Sequence, residues 1–296
     1  MRSILITIAM GLMLHVQAQD VHFSQFFAAP MYYNPAQTGN FSGDVRLGAN
    51  YRDQWGSVTV PYRTFSVYAD AGIQPKKAVN RFGIGVLAMN DQAGDGVLTT
   101  NKLLLSAAYH IGYTDQDAVR FAVGLQGGVV QKSFDLAQLY FDNQWNDFTF
   151  DQNIASLETG VQQQLSYTDL GLGALLTLIP YEDQRYMLGA SIMHVNEPVE
   201  SFYGGTNQVG MRLTATAGGF FAVNGMATVQ PQIMISTQKK AMEIVGGANF
   251  SMPMGGDGTE SALFAGAWMR VGDAMWIVGG LQTGKFTASI SYDINI

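Results

Sequence analysis

The chain of 296 residues contains no cysteine, which excludes a disulfide framework and any thiolate metal site. Charge is scarce as well. Lys, Arg, Asp and Glu together make up 13% of the sequence, against roughly 25% in an ordinary soluble domain. The 16 basic and 23 acidic side chains leave a net charge of −7, which repels phosphate and argues against a nucleic-acid binder. Long apolar helical runs are missing too, and mean hydropathy is only +0.07. The longest uncharged stretch, 213–238, carries Gly218-Gly219, Asn224-Gly225 and Pro231 inside it. Asn-Gly supplies two positive-φ residues, so this stretch reads as two strands joined by a tight turn and not as a membrane helix.

What is present narrows the class further. Apolar residues still reach 47%, enough for a core, so the chain is not disordered. With them come 34 Gly, 17 Phe and 13 Tyr. Few charges, many glycines and many aromatics together fit a transmembrane β-barrel, whose strands show one face to lipid and the other to a polar lumen. Residues 1–18 read as a signal peptide: Arg2 is a short positive region, 4–14 an apolar core, and Val16-Gln17-Ala18 a small-residue cleavage site. The mature chain is then expected to start at Gln19 and to lie in a bacterial envelope.

Alternation with period two supports the barrel. Phe286, Ala288, Ile290, Tyr292, Ile294 and Ile296 share one face, with Thr287, Ser289, Ser291, Asp293 and Asn295 on the other. Phe65, Val67, Ala69, Ala71 and Ile73 likewise oppose Thr64, Ser66, Tyr68 and Asp70, and Val209, Met211, Leu213, Ala215 and Ala217 oppose Arg212, Thr214 and Thr216. Thirteen strands are expected over 44–56, 59–73, 80–91, 97–113, 118–131, 168–179, 184–195, 208–223, 226–238, 241–251, 259–271, 274–282 and 285–295. Most meet the roughly 9–11 residues of a spanning strand. Single-chain bacterial barrels normally have an even number of strands, so about fourteen are expected, with twelve as the alternative and 133–167 as the place for the missing one. Asn224-Gly225, Thr283-Gly284 and 114–117 read as short turns; 91–96, 197–207 and 133–157 read as longer loops, with 252–258 less regular. No internal repeat or linker divides residues 44–296, which read as one barrel domain.

No catalytic or metal motif stands out. His22, His110 and His194 lack H-x-x-H or H-E-x-x-H spacing, and no G-x-S-x-G is present. The oxygen-rich run Asp142-Asn143-Gln144-Trp145-Asn146-Asp147 has Asp147 where a calcium loop needs glycine, so it reads as a solvated loop. Gly255-Gly256-Asp257-Gly258 reads as a turn. Trp55, Trp145, Trp268 and Trp276 are candidates for interfacial girdles. Arg46, Arg52, Lys102, Arg212 and Arg270 fall mostly on the polar register, which places them in the lumen. There they can select anionic solutes, pair with carboxylates such as Asp70 and Glu243, or hold an inserted segment. Neither a cofactor nor a bound metal is expected.

The segment 19–43 is different in kind. Its start, Gln19-Asp20-Val21-His22-Phe23-Ser24-Gln25-Phe26-Phe27, is dense in aromatics, and Pro30 and Pro35 exclude a continuous helix or a central strand. Such a segment is expected to be packed, as a plug in the lumen or against a partner at the periplasmic mouth.

This box, with Pro30, Tyr32, Asn34-Pro35-Ala36 and Gly39, followed by Tyr51-Arg52-Asp53-Gln54-Trp55, closely resembles the opening of the PorP/SprF family of type IX secretion proteins. The usual proline after Asp20 is Val21 here. The resemblance implies an outer-membrane barrel that works with the type IX secretion and gliding machinery. It implies as partners a secreted adhesin or enzyme captured through its C-terminal domain, or periplasmic lipoproteins associated with peptidoglycan, in addition to outer-membrane lipid. The matched positions are His22, Phe23, Ser24, Gln25, Asn34, Pro35, Gly39, Arg52, Gln54 and Trp55, expected to seat the N-terminal segment in the barrel base. Tyr140, Phe141, Trp145 and Phe148 in the longest loop are the candidate contacts with a docked protein on the extracellular side. A non-enzymatic docking barrel is the leading expectation. A channel for small or apolar solutes, a lipid-acting enzyme using His110 or His194, and a soluble secreted β-protein are the rivals.

Overall fold

The computed structural model describes residues 20–56, 60–76, 78–94, 97–112, 118–151, 153–181, 183–223, 227–254 and 261–296. The expected signal peptide and the turns at 114–117, Asn224-Gly225 and 255–258 lie outside them.

Alternating sequence becomes alternating burial. The strands are β1 (Val45–Gln54), β2 (Tyr62–Ile73), β3 (Arg81–Ala93), β4 (Leu98–Ile111), β5 (Val119–Ser133), β6 (Gln164–Tyr181) and β7 (Gln184–Met193). They continue as β8 (Arg212–Val223), β9 (Ala227–Gln238), β10 (Ala241–Met254), β11 (Ser261–Arg270), β12 (Ala274–Thr283) and β13 (Phe286–Asn295). Each pairs antiparallel with its neighbour in sequence, giving a single 13-stranded sheet in the order β1 to β13. In β2, Phe65 and Val67 are exposed while Thr64, Ser66 and Asp70 are buried, and β4 buries Lys102, Ser106 and His110 beneath outward Leu103 and Leu105. All five cations placed on the polar register face inward, as the roughly 2–4 kcal/mol cost of a charge in mid-bilayer requires. Strand lengths of 10 to 18 residues suit spanning strands. The Thr283–Phe286 turn is closed by Gly284 at φ +56°, and the Gln238–Ala241 turn by Lys239 at φ +52°, both in the twist-compatible two-residue class.

The stretch 133–167 holds, among its described residues, no further strand of its own. Among its described residues are two short 3-10 helices, Leu136–Gln138 and Asp142–Gln144, before β6 begins at Gln164. The fourteenth crossing is made elsewhere. The chain enters at Asp20, beside Arg212 at the start of β8 and Gln238 at the end of β9. It reaches the opposite rim at Phe41 and Gly43, which accept hydrogen bonds from Arg81 at the start of β3. Residues 20–44 therefore run down the inside, and thirteen strands then return Ile296 to the first rim, where its N–H donates to Asp273. The long connections 134–163 and 194–211 lie at that same rim.

The inserted segment shows how the sheet curls. Its residues bond to Asn50 of β1, Asp70 of β2, Arg81 of β3, His110 of β4, Gln126 of β5, Ala174 of β6 and Ser191 of β7. They also reach Arg212 of β8, Gln238 of β9 and Asp293 of β13. One short stretch can touch all of these only if the sheet wraps round it. The core of this protein is thus the lumen itself, where Phe23, Phe26, Met31, Tyr32 and Tyr33 meet Leu104, Met234, Val245, Trp268 and Trp276. Trp268 and Trp276 are consequently not girdle residues. They point inward, where Trp268 Nε1 donates to Asn249 and Trp276 lies under the Arg270 guanidinium.

Candidate functional site

The inserted segment is fastened at its first residue by buried charge. Asp20 Oδ2 lies 2.6 Å from His194 Nε2 and 3.2 Å from Arg212 Nη1, while Oδ1 lies 3.5 Å from Lys102 Nζ. The Asp20 N–H donates to Gln238. His194 Nδ1 meets Asp169 at 2.8 Å, so both ring nitrogens face carboxylates. Four separate elements position these groups: β4 carries Lys102, β6 Asp169, β8 Arg212, and the turn after β7 holds His194 in a left-handed conformation at φ +58°. Burial alone raises the Asp20 pKa, but Lys102, Arg212 and His194 outweigh it and hold the carboxyl well below its usual range. Burial opposes the His194 cation, yet hydrogen bonds to Asp169 and Asp20 raise its pKa. The arrangement is an ion-pair network that immobilises the start of the inserted segment, and among the described residues both imidazole nitrogens meet carboxylates and not hydroxyls.

Below the network the aromatic residues interlock. Phe23 packs edge-on to Tyr32, Tyr32 edge-on to Tyr33, and Phe26 edge-on to Trp268. Tyr32 O–H donates to the Val21 carbonyl, while its ring lies 4.7 Å beneath the Arg212 guanidinium, which also bonds the Tyr32 carbonyl. Pro30 opens a single helical turn, α1 (Pro30–Tyr33), as its fixed φ and missing N–H favour at that position. The carbonyls that α1 leaves unpaired bond to the wall: Gln126 donates to Met31 O and Ser191 to Tyr33 O.

The lower third depends on close approach. Asn34 caps the 3-10 turn Pro35–Gln37 through its side-chain oxygen and donates its amide to Ala174 O. Gly39 takes φ +74° and donates its N–H to Asp70 Oδ2 at 2.7 Å. A Cβ on Gly39 would sit 2.7 Å from the Gly83 Cα, so backbone meets backbone here without side chains between. Asp70 is also held by Arg46 at 2.7 Å, and His110 Nε2 lies 2.7 Å from the Thr38 carbonyl.

The residues singled out in the sequence divide accordingly. His22, Phe23, Ser24, Gln25, Asn34, Pro35, Gly39 and Arg52 come together along the lumen. Arg52 lies 3.2 Å from His22 Nε2, Ser24 donates to Asp293, and Gln25 accepts from Ser289. These contacts run from rim to rim and are not confined to a base. Gln54 ends β1 and Trp55 stands half exposed at φ +68°, apart from the packed segment. Tyr140, Trp145 and Phe148 are exposed in 134–163, with Tyr140 and Trp145 grouped around Phe150, and Phe141 is half buried. Loop 194–211 braces this region: Phe202 packs on Phe134, Gln162 N–H donates to Phe202 O, and Lys132 pairs with Glu200. Asp20 lies in the N-terminal box without a role assigned to it there, and its partners Asp169 and His194 carried no local motif. The one available signal was an excess of inward-facing cations, Lys102 and Arg212, with too few lumenal acids on neighbouring strands.

The family model described as type IX secretion system membrane protein PorP/SprF matches residues 15–296. No curated protein matches. Among solved structures, the chain is similar to a deltaS2 mutant of the TodX monoaromatic hydrocarbon channel, at 12% identity and TM-score 0.47 over 89% of this chain and 87% of that one. It is also similar to the beta domain of the Bordetella autotransporter BrkA, at 14% identity and TM-score 0.39 over 85% and 98%. A mutant Rh. blastica porin aligns at 8% identity and TM-score 0.31 over 84% and 94%.

Proposed function

Because the chain belongs to the type IX secretion system membrane protein family PorP/SprF and resides in the outer membrane, we propose that it is a non-enzymatic docking barrel for a secreted protein. Its route of action is recognition: the barrel is the fixed base, and loop 134–163 with its brace 194–211 presents the contact surface. The supporting observation is the contrast between a lumen occupied by residues 20–44 and a rim that leaves Tyr140, Trp145 and Phe148 exposed. A conducting channel needs an open path, whereas this lumen is crossed by a segment fastened to most of the wall. Exposed aromatic side chains are the residue type that anchors protein interfaces. The captured element would be the C-terminal domain of the secreted protein, with the type IX machinery as the supplier of that cargo.

The test is purification of the tagged protein from detergent-solubilised outer membranes. A secreted polypeptide near one to one, lost when 140–150 is replaced by a Gly-Ser linker, is the expected result. A barrel that comes alone and conducts ions in planar bilayers would overturn docking in favour of a solute channel.

A further inference from the structure

The sheet has two free edges. β1 pairs with β2 and β13 with β12, and among the described residues no hydrogen bond joins β1 to β13. The side chains show the same opening. Ile290 at 79% and Leu47 at 77% exposure, one on each edge, are the most exposed large hydrophobic side chains on the described strands. In water an unpaired edge is a liability; in a bilayer it is costlier still, because lipid tails offer neither donor nor acceptor. With an odd number of antiparallel strands, β1 and β13 also run in the same direction, so joining them directly would create a parallel pair in an otherwise antiparallel wall.

The inserted segment backs this seam without closing it. Ser24 and Gln25 bond to the side chains of Asp293 and Ser289 on β13, and Asn50 of β1 donates its side chain to Ala28 O. These contacts leave the backbone edges unpaired, and Pro30 and Pro35 keep the segment from becoming a strand. A second copy in the same membrane orientation presents β1 and β13 in that same direction, so it too offers parallel pairing only. A single strand entering from the rim of Asp20 and running to the opposite rim is antiparallel to both edges at once.

We infer that the β1–β13 seam accepts one antiparallel β-strand from the docked secreted protein, an inference that rests on the docking reading above. The two edges, of 10 residues each, set its length. Apolar residues belong at alternate positions facing lipid, level with Leu47, Tyr51, Ile290 and Tyr292, and small polar residues at the positions facing the lumen. Arg52 adds charge complementarity. It faces inward on β1 with His22 as its hydrogen-bond partner and no carboxylate in an ion pair with it among the described residues, so an acidic or amide side chain on the incoming strand suits that level. Affinity comes from main-chain hydrogen bonds and selectivity from the alternate side chains.

The test uses the full-length protein in detergent, alone and as the complex obtained with its secreted partner. In the free protein, roughly half the amides of 45–54 and 286–295, those pointing into the seam, exchange fast with deuterated solvent. In the complex that fast fraction is lost, and a photoreactive residue at Tyr51 or Tyr292 cross-links to the partner, whereas one at Phe121 on the far wall does not. Full protection of both edges in the free protein would overturn the inference, because the seam would then be self-closed. An adduct between two copies of this chain would overturn it in favour of self-association. A bound partner that leaves the edges exchanging and cross-links only from Phe148 would overturn the seam and keep docking. If no partner is bound and the edges still exchange, both fall together.

Discussion

Two irregular, aromatic-rich stretches of this protein meet opposite fates. Among the described residues neither 20–44 nor 134–163 holds a strand, and both carry Phe, Tyr and oxygen-rich side chains. Yet Tyr32 is 2% exposed and Phe148 is 89% exposed. The difference is not hydrophobicity. The first stretch has a complement: the cations Lys102, Arg212 and Arg46 and the acceptors and donors of the inner wall satisfy its polar groups, so its rings can be buried. The second has no wall around it and satisfies its polar groups within itself and against loop 194–211: Gln144 donates to Ile154 O and accepts from Phe141 N–H, and Gln162 N–H donates to Phe202 O. Burial of an aromatic segment is decided by whether its backbone finds partners.

That comparison can be broken at its charged end. Arg212→Ala removes the partner of Asp20 and of the Tyr32 carbonyl, leaving Asp20 buried with its charge under-compensated. The expected loss is about 3–5 kcal/mol, read as a lower urea midpoint of the folded barrel in detergent. An unchanged midpoint would mean that the segment is not part of the folded unit. Gly39→Ala is the next largest. Its positive φ and the 2.7 Å approach of a Cβ to Gly83 Cα predict about 1–3 kcal/mol, with added protease sensitivity in 20–44.

Acidity sharpens the comparison further, because only the inserted segment depends on buried titrating groups. The His194 pKa is raised above 6.5, so its contribution is fully present below pH 6.5 and fades as pH rises through the folded-state value. The Asp20 pKa is lowered below 3.8, so its contribution is present above that pH and fades as pH falls through the folded-state value. Stability therefore declines on both sides of the window between them. His194→Gln should remove the alkaline decline and spare the acidic one, as followed by unfolding midpoints across pH. The smallest effect belongs to the other stretch. Phe148→Ser should shift stability by no more than about 0.5 kcal/mol, since its ring touches solvent, while partner recovery in the pull-down falls.

Much of the wall was legible in the residues. Strands have a period of two, and lipid outside with polar groups inside enforces it, so runs such as Phe65 to Ile73 and Phe286 to Ile296 declare both strand and face. The edges of β6 were misplaced by a few residues, because the ladder to β5 continues past the alternating core to Gln164. The missing fourteenth strand was sought at 133–167 because crossings were assumed to be strands; the chain makes that crossing through the lumen instead. The tryptophans show the limit of composition. Trp268 and Trp276 carry the same ring as a girdle residue, and only register decides that they point inward, toward Asn249 and Arg270.

The sequence by itself determined the barrel wall, the inward placement of its cations, and the need of residues 20–43 for packing, because each follows from local period, from the cost of charge in lipid, or from proline. The tertiary structure alone decided what those cations hold. Asp20, Lys102, Asp169, His194 and Arg212 are spread over nearly two hundred positions of the chain, and no spacing connects them; they meet because antiparallel strands bring four distant elements to one rim. It also decided that the wall keeps two free edges. Strand direction and pairing are properties of the closed or unclosed sheet, and no single strand contains them.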